Sequence, residues 1–309
     1  MTHATAPGKI ILFGEHAVVY RQPAIAVPVH QLQAEAVVES APAGQGTQII
    51  APDVDRFVTL ADAPDDDALA RIVDLTLEEI GRPGNPDLTI TVRSTIPIAR
   101  GLGSGAAIST AIVRALCTHY AHWIPSRRIS DLVYQAELIY HGTPSGIDNT
   151  VIAFEKPIFF VKEEGWEIFW PGQAFLLAIA DTGVESATWE VVRDVRRQYE
   201  AERDRYTALF RQTGAVALGA RSAIEEGEME RLGRLMDENH TLLQEMGVSS
   251  PELDRLVAAA RQGGALGAKL SGAGRGGNAI ALVTEETRGC VDMMLRLAGA
   301  TDVLVTEVQ

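Results

Sequence analysis

The chain has 309 residues, 46% hydrophobic and 22% charged, an ordinary globular composition on a length that exceeds one hydrophobic core, so two domains are expected. A formal net charge of −14 argues against nucleic acid or an anionic membrane held by diffuse electrostatics; an anionic ligand must be gripped by local donors or a metal. Two cysteines, Cys117 and Cys290, make no disulfide framework, and with no N-terminal apolar targeting segment and no apolar run of about 18 residues the cytoplasm is the expected compartment.

In chain order, "GKIILFGEHAVVYRQPAIAVPV" reads as strand, sharp turn and strand, punctuated by Gly14 and by Gln22-Pro23. Leu32 to Val38 reads as another strand, ending in the loop "SAPAGQGTQ". "DAPDDDALARIVDLTLEEIG" places Leu69, Ile72, Val73, Leu77 and Ile80 at helical spacing and stops at Gly81. The aspartates before it suit the positive end of a helix dipole better than a metal cluster. "DLTITVRS" alternates as a half-buried strand. Beyond "IPIARGLGSGAAIST", Ile108, Ala111, Ile112, Ala115 and Leu116 predict a helix, and a second runs from about Ile129 to His141 into "HGTPSGIDNTV". "KPIFFV", "WEIFW" and "AFLLAIADTG" are strand-like, and Ala187 to about Arg261 is mostly helical. "GAKLSGAGRGGNAIALV" returns to a glycine loop before a strand, and "TDVLVTEV" alternates as the last one. The order is α+β, with domains expected at 1–165 and 166–309.

Glycine-rich turns ahead of a helix commonly meet phosphate, because backbone N–H groups can approach the anion and the helix N-terminus adds donors. Gly101-x-Gly103-x-x-Ala106 formally fits a dinucleotide fingerprint. That motif needs a buried parallel strand before it and, after one helix, a strand ending in an acid. Here the preceding strand is half polar and a second helix follows. No Walker A lysine and hydroxyl follow either glycine cluster. His119 and His122 lie three apart on a helix without a third ligand at metal spacing, and Arg193, Arg196 and Arg197 read as a solvated helix face.

"PGKIILFGEHAVVY", "PIARGLGSGAA" and "KLSGAGRGG" together resemble the three motifs of the GHMP kinase superfamily, spread from residue 7 to residue 277. Within it, "GEHAVVY" with "AELIYHGTPSGIDNTV" is most similar to the mevalonate kinase branch. The resemblance implies a two-domain GHMP fold: an N-terminal ribosomal-protein-like domain with a left-handed βαβ unit, and a C-terminal ferredoxin-like α+β domain. It implies transfer of the γ-phosphoryl group of ATP, with Mg²⁺, to the 5-hydroxyl of mevalonate. Other GHMP kinases (phosphomevalonate kinase, mevalonate 3-kinase, galactokinase, homoserine kinase) and a non-catalytic ligand sensor remain the alternatives. The family is often dimeric, and the residues leave the oligomeric state open.

By the same resemblance Asp148 is the base candidate for the acceptor hydroxyl and Lys9 its cationic partner, the residues leaving open whether Asp148 takes the proton or orients a hydroxyl whose pKa Lys9 lowers. Pro97, Gly101, Leu102, Gly103, Ser104, Gly105 and Ala106 would hold the ATP phosphates, with Ser271, Gly272, Ala273 and Gly274 of the third motif, which Lys269 opens. Ser104 and Glu137 are the expected metal ligands, a carboxylate and phosphate oxygens being what Mg²⁺ prefers. Glu15, His16, Tyr20 and Thr188, together with Asp148, are expected at the acceptor. Asp148 lies in "PSGIDN", which reads as a turn. Two positions depart from the family: Gly105 replaces a serine that commonly touches the metal, and Arg275 replaces a glycine, placing an extra cation near the phosphates or the acceptor carboxylate.

Overall fold

The computed structural model describes every residue except Ala99, 142–144 and Ala187, and describes the side chains of all the rest but Tyr140 and His141. The chain divides into two compact units, one of Met1–Lys9, Pro28–Pro97 and Gly103–Glu155, the other of Ile10–Val27, Ile98–Leu102 and Lys156–Gln309. Two short early stretches thus belong with the C-terminal half, an interleaving that one cut through the sequence does not express.

Strands β1 (Thr2–Phe13) and β2 (Ala24–Ser40) open the chain. The sequence suggests a break within β2, yet the strand is continuous through Pro28. Its first residues, Ala24–Ala26, pair with one strand and Ala34–Ser40 with another, so Pro28 falls between the two ladders, where its missing N–H costs neither a bond.

In the first unit β3 (Thr47–Ala51) and β4 (Arg56–Thr59) form a short antiparallel pair within what the sequence presents as loop and polar linker. β3 also runs parallel to β5 (Leu88–Ser94), with α1 (Ala68–Glu79) between them in the chain, and β5 pairs antiparallel with the second half of β2. Of the aspartates ahead of α1, Asp67 is the cap: its carboxylate accepts from the N–H groups of Leu69 and Ala70 and pairs with Arg56. α2 (Ser104–His119), α3 (Ser126–His141) and α4 (Ile147–Phe154) pack on one another, α1 joins them, and α2 lies against β5. The "PSGIDN" segment is therefore no simple turn, because Gly146 begins α4 and Asp148 stands in its first turn.

The second unit adds the hairpin β6 (Ile158–Val161) and β7 (Gly165–Ile168), then β8 (Phe175–Asp181). Helices α5 (Thr188–Ala201), α6 (Arg203–Glu226), α7 (Met229–Glu245) and α8 (Pro251–Gln262) follow, and β9 (Gly267–Ser271), β10 (Asn278–Val283), α9 (Arg288–Leu297) and β11 (Asp302–Val308) complete it. Its sheet is fully antiparallel in the order β11-β8-β10-β9, with α8 and α9 packed on it. β10 is buried along its whole length, as a strand between two neighbours and under helices must be. Among the described residues no helix is long and apolar enough to cross a membrane.

Candidate active site

In the first unit Lys9 and Asp148, the pair expected at the acceptor hydroxyl, are in contact. Lys9 Nζ stands 2.9 Å from Asp148 Oδ1, with the lysine side chain 5% exposed and the aspartate 31%. β1 carries Lys9 buried, and α4 presents Asp148 at its N-terminal end, where the helix dipole favours a carboxylate. The neighbouring Asn149 turns inward, and its amide donates to the carbonyl and hydroxyl of Ser130 on α3 at 3.1 and 2.9 Å. Anchored on that side, α4 has Asp148 fixed in direction.

α2 begins directly over the lysine stem. Gly103, its N-cap, has φ 77, and a Cβ there would lie 2.8 Å from Lys9 Cγ and 2.9 Å from Ile152 Cδ1. Only glycine satisfies both the left-handed backbone and that closeness. The first helical bond is Ala107 N–H to Gly103 O, which leaves the N–H groups of residues 104–106 at a positive helix end suited to phosphate. Gly105, by contrast, has open space where its Cβ would go and no positive φ, so nothing structural forbids the serine expected there.

Glu137, on α3, is the perturbed group. Burial first, and then the negative charge of Asp148, push its carboxyl well above the usual carboxylate range, with Lys9 opposing. Two carboxyl groups thus share one lysine, a donor set short of positive charge. Among the described residues no three His, Cys, Asp or Glu side chains cluster as a metal cage. Any cation here must complete its shell with phosphate and water oxygens.

The second unit carries the end of β1 and the third glycine motif. Lys269, at the centre of β9, forms an ion pair with Glu15, and both are buried to within 1%. Lys269 Nζ also donates to Leu270 O at 2.6 Å. His16 has φ 58, and its Nε2 lies 2.8 Å from Ala273 O. Burial lowers the His16 pKa to about 4, so the ring is neutral and Nε2–H is the donor. Ser271 Oγ donates to Ile11 O at 2.7 Å. Glu15 Oε1 and His16 Nε2, on residues expected at the acceptor, are here bonded to the third motif.

The remaining positions fall as follows. Pro97, Gly101 and Gly105 are exposed, Ser104 is half-buried, and Leu102 and Ala106 are buried. Gly272 and Ala273 are partly open, and Gly274 is closed against Val248 O, 2.0 Å from where its Cβ would be. Tyr20 stacks on Phe210 at 4.1 Å and tilts against Tyr199 at 4.8 Å, so its ring is a packing group with one edge accessible. Thr188 is exposed at the first residue of α5. Arg275, expected to lend a cation near the phosphates or the acceptor carboxylate, has its guanidinium paired with Asp194 Oδ2 at 2.8 Å. Residues 142–144 of the segment "HGTPSGIDN" lie outside the described residues. Asn149 and Asp194 escape the sequence reading, since a buried asparagine and a helix-face aspartate carry no local signature.

Residues 67–156 match the family described as GHMP kinases N terminal domain and residues 220–289 the one described as GHMP kinases C terminal. The chain belongs to the GHMP kinase family. Within it the similarity is to mevalonate kinases: that of Pyrococcus furiosus is 34% identical over 99% of this chain and 95% of the relative, and that of Thermococcus onnurineus 34% over 97% and 94%. Among solved structures, L. major mevalonate kinase in complex with R-mevalonate superposes with a TM-score of 0.87 at 29% identity, covering 100% of this chain and 96% of that one.

Proposed function

We propose that this protein is a mevalonate kinase, transferring the γ-phosphoryl group of ATP to the 5-hydroxyl of mevalonate. The observation that carries the chemistry is the Lys9–Asp148 pair beneath the N-terminus of α2. The near full-length similarity to mevalonate kinases supports the acceptor.

In this reading Asp148 accepts the hydroxyl proton of mevalonate as the oxygen–phosphorus bond forms and the bridging bond to ADP breaks. Lys9 pairs with Asp148 at 2.9 Å and stabilises negative charge developing on the attacking oxygen. The N–H groups at the head of α2 hold the phosphates. Glu137 and Ser104 would hold a Mg²⁺ ion, since the Glu137 and Asp148 carboxyls share the single charge of Lys9 and a hard cation would supply further positive charge there. When bound, the ion neutralises phosphate charge. Glu15 and His16 contribute by fixing the third motif, while Thr188 and the open edge of Tyr20 address the acceptor. The domains are read as 1–165 and 166–309.

The test is ADP release with ATP and Mg²⁺ on mevalonate, phosphomevalonate, galactose and homoserine in parallel, with the phosphorylated carbon located by phosphorus NMR. Turnover on mevalonate at the 5-hydroxyl is expected. Turnover only on another acceptor moves the specificity, and turnover on none removes the kinase reading in favour of a ligand sensor.

A further inference from the structure

Arg275 sits in the loop between β9 and β10 with φ 56, a conformation that costs any residue with a Cβ. Its backbone N–H donates to Val248 O at 2.8 Å, just past the end of α7. Its guanidinium reaches across to Asp194 Oδ2 on α5 at 2.8 Å, with a longer contact to Gly247 O at 3.4 Å. The strained backbone is thus spent on aiming one side chain at one helix.

α5 needs such a hold. Its C-terminal half is held by Tyr199, which packs against Tyr20 and Phe210, and by Gln198, which accepts from Tyr206 Oη, whereas toward its start only Val191 and Val195 are buried among the described residues, so apolar packing anchors that end weakly. The segment leading into it is stitched to the same glycine loop: Ser186 Oγ donates to Gly274 O at 2.5 Å, Gly277 N–H to Val184 O at 2.9 Å, and Thr182 Oγ1 to Gly277 O at 2.8 Å. Those bonds secure residues 182–186 and none of them touches the body of the helix. The link from loop to helix body is Arg275 to Asp194, and the guanidinium, by its hydrogen bond, holds the Asp194 carboxyl below the usual range.

We infer that Arg275 and Asp194 form a clamp that fixes α5, and with it Thr188 at its first residue, against the third glycine motif. Arg275 is then a positioning residue for the acceptor. This rests on Thr188 addressing mevalonate, as proposed above. Glycine at 275 would relieve the backbone and cut the clamp, which separates stability from positioning.

Three variants test it: Arg275→Gly, Asp194→Asn and the double. Hydrogen exchange across residues 188–201 is followed in the free enzyme, with steady-state kinetics on mevalonate and ATP. A half-exposed charge-assisted contact of this kind converts to about a fivefold effect. Each single variant is expected to speed α5 exchange and raise the mevalonate KM by about that factor, leaving kcat and the ATP KM within about twofold. The double variant is expected to match the singles rather than multiply them. Arg275→Gly should melt no lower than Asp194→Asn, because it also sheds the left-handed arginine. Unchanged α5 exchange, or effects that multiply, would overturn the clamp. Faster exchange with an unchanged mevalonate KM would overturn the positioning role. A wild-type enzyme that ignores mevalonate sinks the functional reading alone, because exchange still decides the clamp.

Discussion

Replacing Lys269 with methionine keeps the length of the side chain in β9 and removes the ammonium that Glu15 faces. Both partners are buried, at 0% and 1% exposure, so the abandoned carboxylate cannot turn to water. Removing one member of a buried pair costs about 3–5 kcal/mol, whereas removing both is often close to neutral. Lys269→Met is therefore expected to lose about that much, and Glu15→Met with Lys269→Met to recover most of it, far from the sum of the two singles. The assay is urea unfolding at pH 7 by tryptophan fluorescence, with the slope of the transition checked because two units can unfold separately. A second arm follows from linkage. A buried carboxyl that has lost its ammonium partner has a folded pKa above its unfolded value, so the folded variant binds the extra proton and its deficit should grow as pH rises from 5 to 8. A loss below about 1 kcal/mol, or a double variant as weak as the sum of its singles, would refute the assignment of this pair as a coupled buried contact.

Asp148→Asn keeps the shape of the pair but cannot take a proton; kcat is expected to fall by about 10²–10⁴ with the ATP KM little changed, and a wild-type rate would remove the base assignment. Gly103→Ala meets both φ 77 and the Lys9 stem, so stopped-flow phosphoryl transfer should slow at least about tenfold and stability drop by about 1–3 kcal/mol; an unaffected variant would show that α2 does not rest on Lys9. Gly105→Ser enters open space without a positive φ, so melting should hold or rise slightly and the apparent KM for MgATP should fall as a hydroxyl returns to the helix head. His16 and His240 are both held neutral by burial, each with a pKa lowered to about 4. The unfolded chain then binds more protons between pH 6.5 and 4, so stability is full above 6.5 and falls with acid by about 1.4 kcal/mol per pH unit for each ring; a flat acid profile in chemical denaturation would contradict this.

The helices and the half-buried strands were legible because their apolar periods are local properties, as in Leu69 to Ile80 or the alternation of "DLTITVRS". β3 and β4 were not, since strands of five and four residues owe their existence to neighbours far along the chain, β3 to its parallel pairing with β5. The continuity of β2 through Pro28 likewise depends on where two partner ladders stop. Asp148 was found by motif but its setting was misjudged: the glycine that suggests a turn is the left-handed start of α4.

Motif matching identifies which residues a chemistry requires, and the geometry then divides them by what they touch. Lys9 and Asp148 bond to each other, with the Gly103 backbone resting on the lysine stem, the arrangement on which the proposed chemistry rests. Glu15 and His16 stand a few residues beyond Lys9, at the end of the same strand, and Glu15 Oε1 and His16 Nε2 are spent on Lys269 and Ala273. A buried ion pair is weak as a source of net stability and strong as a specifier of register, because any slip of β9 or of the turn after β1 strands a charge. The same logic reaches the Arg275 loop, where a costly backbone conformation is retained and its side chain meets Asp194. A glycine motif supplies donors only where its backbone is held still. In this chain the holding is done by charged, imidazole and hydroxyl side chains, because glycines cannot pack themselves into place.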